Sequence, residues 1–494
     1  MSISAGRGRR YPKYARIFAS ITLNGTRSGL STIVILISFG DTQQYSPLMG
    51  PSGVLPEKVP QDSSPSKMPP PQVISEPTFS RVTDIGPQTA MVNECAIAFI
   101  MLDGSPAVQH IPWPLQWKCG RLRCRMKKSR VIIKSASYDY GTLRPLVFDM
   151  IDAFCGSMIG KGSRVVIKPN LLAPAAPERA MVTHPLIVRA VTEYVLGKGG
   201  LPRISDSPAM GGFERVLKES GIREALRGME VEFREFRESV VFDTGEPFKE
   251  IEIARDALDA DVLINLPKLK THAQMGMTLG VKNLFGCICG LRKPEWHFRT
   301  GVNRQLFATL LVKIHYAISP AVTLMDGVLA MEGEGPGRSG TPRDLGIIAA
   351  SDDACALDVS LCRMLGADPY DMPTNRAARE MGYAAGEIEV EGELPVVSDF
   401  RFPDVAPLVF GPPKLHGFFR RHLVQRPVPD ESLCRQCGEC GKYCPAKAIS
   451  FEGGRLRFDY DRCIRCYCCI EVCPHAALRA AEPFLGRAVR RLKR

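Results

Sequence analysis

Between residues 126 and 390 short apolar runs alternate with stretches whose apolar positions recur every three or four residues. The runs "RVIIKSAS", "RVVIKPN", "PRISDS", "DVLINLPK", "VTLMDG" and "LGIIAASDD" read as strands. The segments "LRPLVFDMIDAF", "HPLIVRAVTEYVLGKGG", "FERVLKESG", "VNRQLFATLLVKIHYAIS" and "CALDVSLCRMLG" read as helices. Such alternation predicts an α/β fold, with a doubly wound and mostly parallel sheet.

The pattern changes on either side. Residues 1–125 show no sustained period and are rich in Pro, Ser, Gly and Thr, as in "SKMPPPQVISEP", so they are expected to be disordered. Met126 opens "MKKSRVIIKSASYD", a basic start leading into a strand, and translation beginning there would make the upstream residues an annotation artefact. "STIVILISF" is too short to span a bilayer and lies too deep for a signal peptide, so no membrane segment is expected. Residues 391–427 form a Pro-rich connection. Residues 428–480 form a small α+β module in which "AKAISFEGGRLRFDYDR" predicts a hairpin with a Gly-Gly turn, echoed by "HAALRA". Residues 481–494 form a basic tail.

Charge changes this picture little. The formal net charge is +12, of which residues 1–125 contribute +6 and the terminal "RAVRRLKR" +5. The folded remainder is near neutral, so no nucleic-acid partner is expected.

The cysteines change it a great deal. Of 17, nine fall between Cys434 and Cys473, where the chain twice runs Cys, two residues, Cys, two residues, Cys, three residues, Cys, Pro: "CRQCGECGKYCP" and "CIRCYCCIEVCP". That is the spacing of bacterial two-cluster ferredoxins, in which three thiolates of one run hold a 4Fe-4S cube and the fourth crosses to the other cube. Cluster I is expected on Cys434, Cys437, Cys440 and Cys473, and cluster II on Cys463, Cys466, Cys469 and Cys444. Disulfides would require an oxidising compartment, and structural zinc prefers pairs of two-cysteine knuckles to triplets. Cys468 sits off the spacing and reads as a spare thiol. The other eight cysteines show no framework pattern, which points to a reducing, cytoplasmic compartment.

Several predicted strands end in polar residues: Lys168 and Asn170, Asp206 and Ser207, Asn265 and Lys268, Asp326, and Asp352 with Asp353. In open α/β sheets the carboxyl edge is where ligands bind, although each such residue also serves as a cap or turn former. The densest cluster is "INLPKLKTHAQMGMTLGVKNLFG", carrying Lys268, Lys270, Thr271, His272, Lys282 and Asn283. Lysines, an amide and glycine backbone suit an anionic group, and His272 suits acid-base work. Lys268, His272 and Lys282 are the catalytic candidates; Lys168, Asn170, Asp206, Lys270, Asn283 and Asp326 are candidate ligand-binding residues. Cys287 and Cys289 in "GCICG" are too few for a metal site and read as small buried hydrophobes. The loop "MEGEGPGRSGTPR" lacks a nucleotide-loop ending and reads as a ligand-covering loop with Arg338 and Arg343 available for anions.

"IKPNLL", "DSP" at Asp206, the 264–286 cluster, "MDG" with "MEGEGPGRSGTPR", and "ASDDACALDVSLCRMLGADP" occur in order. Together they resemble the domain of unknown function 362, a family often fused to a two-cluster ferredoxin module. The resemblance covers roughly residues 126–480. It implies that Lys168, Asn170, Asp206, Lys268, Lys270, His272, Lys282, Asn283, Asp326, Gly333 and Gly335 are characteristic of the family, and it carries no reaction. The Cys-x-Cys at Cys287 and the long N-terminus lie outside its pattern. The sequence thus predicts two 4Fe-4S clusters that exchange electrons between a redox partner protein and an anionic small-molecule ligand, in an oxidoreductase or its electron-input subunit. The alternative is a non-catalytic iron-sulfur protein, acting as a redox sensor or as a carrier for a partner complex.

Overall fold

The computed structural model describes the backbone of residues 17–23 and 31–37, and residues 128–383, 386–392, 396–403, 418 and 421–487 in full. Ile17–Leu23 and Ser31–Ile37 pair as an antiparallel hairpin. The second of these strands contains most of the apolar run "STIVILISF". The rest of 1–125, residues 126 and 127, residues 393–395, 404–417 and 419–420 of the Pro-rich connection, and residues 488–494 of the basic tail lie outside the described residues.

The strands of the main sheet are β1 (Ser129–Ser135), β2 (Arg164–Pro169), β3 (Leu201–Ile204), β4 (Glu232–Phe233), β5 (Val262–Leu266), β6 (Lys268–His272), β7 (Gly276–Thr278), β8 (Val322–Gly333), β9 (Gly340–Ser351) and β10 (Ile388–Glu391). Their order is β10-β1-β9-β8-β5-β2-β3-β4, with β6 beside β8 and β7 beside β6. The stretch from β8 through β5, β2 and β3 to β4 is parallel throughout. β9 runs antiparallel to both neighbours, so the sheet is mixed but mostly parallel. The reversal follows from chain length: β8 and β9 are joined by the short glycine-rich loop 334–339, whereas a parallel return needs a crossover of a dozen residues or more.

Both faces of the sheet are covered, which is why its strands are continuous apolar runs. In β2, Val165 and Ile167 pack into one core with the helices Tyr140–Cys155 and Pro185–Gly197. Val166 points the other way, into a second core with the helix Arg304–Ile318. Local chemistry starts these helices. Asp139 accepts from the Thr142 N–H, and Leu143, Val147, Met150 and Ile151 then recur on the buried face of Tyr140–Cys155. Asn303 caps Arg304–Ile318. Asp353, one of the polar strand ends, caps Ala354–Met364 by accepting from the N–H groups of Cys355 and Ala356, a contact worth about 1 kcal/mol.

The C-terminal module carries two antiparallel pairs, Arg426–Pro429 with Leu478–Ala481 and Ile449–Glu452 with Arg455–Phe458. The latter is the expected hairpin, with Gly453 and Gly454 both at positive φ in its turn. Among the described residues no helix is long and apolar enough to cross a membrane.

Candidate functional site

The two cysteine runs are one backbone motif used twice. Gln436 and Arg465 occupy the same place in their runs and adopt φ of 53° and 60°; Gly438 and Tyr467 follow at 79° and 60°. These left-handed residues curl each loop around its own centre before a single helical turn, Glu439–Lys442 or Cys468–Glu471, carries the third cysteine onward. After each Cys-Pro step the chain bends again, at Lys447 and Ala476, with φ of 48° and 52°. There the N–H of Ala448 donates to Cys444 Sγ and that of Ala477 to Cys473 Sγ, each at 3.3 Å.

The thiols fall into two crossing sets. Cys440 is pushed up to about 11 by burial and then by the charges of Cys473, Cys437 and Cys434. Cys444 is raised by burial and by Cys466 and Cys463. Burial and then Cys466, Cys463 and Cys444 raise Cys469 well above the ordinary thiol value. Mutually repelling thiolates held together by the fold suit a cationic iron-sulfur core, which would relieve the repulsion. The donor set therefore fits 4Fe-4S clusters. Cys468 is buried and hydrogen-bonds Cys466.

The carboxyl edge of the sheet is the expected place for a ligand, and the structure sets a second part of the chain against it. That part is the cysteine module. Gly337, in the loop between β8 and β9, lies against the backbone of Glu471: a Cβ there would stand 3.1 Å from the Glu471 carbonyl oxygen. Ala273 packs among Cys440, Tyr467, Cys469 and Ile470. Between the two parts lies a cavity of about 200 Å³, lined from the sheet side by Asn170, Asp206, Lys270, His272, Thr278, Lys282 and Asn283. The helix Arg292–Thr300 contributes Lys293 and His297, and the module contributes Tyr443, Cys468, Glu471 and Val472.

Polar order in the wall begins at Lys270. Its ammonium can only donate, and does so to Asn170 Oδ1 and the Met181 carbonyl, both at 2.7 Å. That fixes the Asn170 amide, which donates to Asn283 Oδ1 at 2.8 Å; Asn283 donates to Asn265 Oδ1 at 2.8 Å, and Asn265 to the Gly280 carbonyl at 3.0 Å. Burial, then the nearby Lys282, drives the Lys270 pKa well below the usual lysine value. Asp206 is held by Lys168 Nζ at 2.9 Å and by the N–H groups of Leu171 and Ser207. Gly286 is required here, because a Cβ would come within 2.1 Å of Asp206 Oδ1 and 2.6 Å of Lys168 Nζ.

Several polar groups in this cavity, Glu471 Oε1 among them, make no aligned hydrogen bond. His272 Nδ1 accepts from the N–H of Gln274 and of Met275, which fixes the neutral tautomer with its proton on Nε2. Nε2 lies 3.0 Å from Glu471 Oε1, a close contact with that carboxylate whose hydrogen-bond alignment is poor. His297 Nδ1 and Thr278 Oγ1 are buried without a hydrogen-bond partner. Lys282 reaches the cavity and makes no hydrogen bond or ion pair among the described residues. Burial, with Lys282 nearby, lowers His272 to about 4; burial lowers His297 to about 3 and Lys293 to about 8. Lys282 is lowered by burial and supported by Glu471. Burial disfavours ionisation of Glu471, and the adjoining His272 and Lys282 outweigh it, so its pKa falls below the usual carboxylate range.

The structure thus gathers Asn170, Asp206, Lys270, His272, Lys282 and Asn283 at the cavity and sets the other candidates apart. Lys268, wholly buried, donates to Asp326 Oδ2 and to Tyr138 OH, each at 2.8 Å, and Tyr138 OH donates to Asp326 Oδ1 at 2.7 Å. Tyr138 stacks on His184 with ring centroids 3.5 Å apart. This closed network lies outside the cavity lining, as does Lys168. Arg338 donates to the Pro174 carbonyl and Arg343 to both oxygens of Asp399, so neither reaches the cavity. Cys287 and Cys289 are buried in the core of the second face. Lys293 and His297 were missed in the sequence because no local cluster marks them, and Thr278 was passed over within the 264–286 cluster because an isolated threonine among apolar residues carries no signal of its own. Glu471 was hidden between two ligand-spaced cysteines.

The fold and site define an α/β domain whose binding edge is capped by an iron-sulfur module of the 4Fe-4S electron-transfer class. Residues 165–363 match the family described as domain of unknown function (DUF362), and residues 426–474 match the 4Fe-4S dicluster domain. The chain belongs to the DUF362 family, with a dicluster ferredoxin module at its C-terminal side. It is 38% identical over 313 residues to the thylakoid-associated protein sll1697 of Synechocystis, covering 62% of this chain and 97% of that one. The module alone is 43% identical over 56 residues to the pyruvate synthase subunit PorD of Thermotoga maritima, 11% of this chain and 57% of the relative. It is 39% identical over 53 residues to the electron transport protein HydN of Escherichia coli, 10% of this chain and 30% of that one.

Proposed function

We propose that the chain holds two 4Fe-4S clusters, on Cys434, Cys437, Cys440 and Cys473 and on Cys463, Cys466, Cys469 and Cys444, and exchanges electrons between a redox partner protein and an anionic small molecule bound in the cavity. The observation that carries this reading is the set of unpartnered groups there. His297 Nδ1 and Thr278 Oγ1, buried without a partner, and the Lys282 ammonium line a space bordered by the cluster-binding loop, beside the close His272–Glu471 contact. Buried polar groups are nearly always paired, and an unpaired one costs about 1–3 kcal/mol, so several around one space suit a polar ligand. The cations Lys270, Lys282 and Lys293 outnumber the carboxylates Asp206 and Glu471, and Asp206 is already neutralised by Lys168.

In this arrangement the clusters supply single electrons. Lys282 attracts the anion, His272 offers it a neutral N–H, and the amide chain from Lys270 to Asn265 holds the wall rigid. The test is reoxidation of dithionite-reduced protein by a panel of reducible small anions, 2-oxo acids and 2-enoates with and without a phosphate group, each able to take up two electrons and two protons, followed at the cluster absorbance. A member of the panel should accelerate reoxidation in the native chain and lose its effect in Lys282→Ala. Acceleration that survives in Lys282→Ala would remove the cavity from the reading.

A further inference from the structure

The two cysteine sets share a backbone and differ in surroundings. In the first run Gln436 is exposed, and its amide donates to the Gly454 carbonyl. The equivalent residue of the second run is Arg465, only 1% exposed, whose guanidinium donates to the carbonyls of Tyr460 and Cys463, each at 3.3 Å. A permanent positive charge is therefore buried inside the loop that carries Cys463 and Cys466. More cations gather on this side. Arg304 of the α/β domain packs against Tyr467, Arg426 covers the Tyr460 ring at 4.1 Å, and Lys282 faces Cys468.

Exposure differs as well. Each set has two buried cysteines, Cys440 and Cys473 in the first and Cys466 and Cys469 in the second, but the first has the exposed Cys437 while the remaining cysteines of the second, Cys444 and Cys463, are half-buried. Cys466 hydrogen-bonds Cys468, which lines the cavity, and Tyr443 beside Cys444 lines it too. Val472, beside Cys473 of the first set, lines the cavity as well, but Cys468, the thiol in its wall, bonds to the second set, and the first set presents a cysteine to the outside. Adding an electron to a cysteine-ligated cluster adds negative charge, so a buried cation nearby favours the reduced form and raises the potential.

We propose, resting on the reading that the clusters serve the cavity, that the Cys463, Cys466, Cys469 and Cys444 site is the higher-potential of the two and exchanges electrons with the cavity. The site of Cys434, Cys437, Cys440 and Cys473 meets the external redox partner. Arg465 is the positioning residue that sets this order. Electrons arriving from outside then run downhill in energy toward the ligand.

The experiment is a redox titration of the full-length, cluster-loaded protein followed by electron paramagnetic resonance. The comparison uses Arg465→Gln, which gives the second run the residue the first one has. One midpoint should fall, by about tenfold in the reduced-to-oxidised ratio at fixed potential, 59 mV for a one-electron couple, while the other stays put. Arg465→Lys should restore most of the difference, and Cys444→Ser should remove the higher-potential signal. The reciprocal Gln436→Arg should raise the lower midpoint, and it tests the same argument if Arg465→Gln fails to load iron. The proposal is overturned if the higher midpoint survives Cys444→Ser. It is overturned too if neither Arg465→Gln nor Gln436→Arg moves a midpoint in loaded protein. These midpoints are read without any cavity ligand, so the order can fail while ligand-dependent reoxidation stands, and the reverse.

Discussion

At the scale of single residues, lysines that look alike in the sequence have opposite roles. Lys268 and Asp326 are both wholly buried and satisfy each other, so removing one strands the other. Asp326→Asn or Lys268→Met should cost about 3–5 kcal/mol in chemical denaturation. Lys282 has no such partner, and Lys282→Ala should change stability by under about 0.5 kcal/mol. Equal losses in the two cases would show that Lys282 belongs to the scaffold. Nothing local separates these lysines: Lys268 meets its partner across adjacent strands, 58 positions along the chain, and Lys282 meets empty space. The histidines make a second forecast. His272 and His297 have folded values of about 4 and about 3, below the ordinary 6.5, so the unfolded chain takes up protons first as pH falls. Their neutral, buried state is fully compatible with the fold above pH 6.5, and stability is lost as pH drops from there toward about 4, by up to about 1.4 kcal/mol per unit per histidine. Denaturation midpoints between pH 7 and 5 should fall less steeply in His297→Gln than in the native chain.

At the scale of elements, the central strands were legible as short continuous apolar runs because both their faces are buried, and the long helices by their period near four, whereas the short or half-exposed strands Glu232–Phe233, Ser239–Gly245 and Lys249–Ala254 carried no such run. The antiparallel turn of β9 was not legible, since loop length rather than pattern decides it. Asp353 is a case where the bland reading wins, as its carboxylate is occupied in capping a helix. In the module, legibility was high because ligand spacing is itself the geometry. Crossing of the fourth cysteines gives a specific outcome: Cys444→Ser should abolish the paramagnetic signal of the cluster on Cys463, Cys466 and Cys469 and leave the other. Loss of the signal belonging to Cys434, Cys437 and Cys440 instead would reverse the assignment.

At the scale of the whole molecule, the cavity was illegible because its walls come from parts of the chain some 200 residues apart, His272 on one and Glu471 on the other. Anaerobically purified protein should contain about eight irons and eight acid-labile sulfides per chain, and a value near four would mean one site is not filled. If the clusters serve the cavity as proposed, its position against the cysteine module sets the kinetic order of electron delivery. A reductant that must diffuse to its acceptor reacts at a rate that scales with concentration, whereas here donor loop and acceptor space share a wall within one polypeptide. At saturating ligand the reoxidation of reduced protein should therefore be unimolecular, and its rate constant should be unchanged when the protein is diluted tenfold.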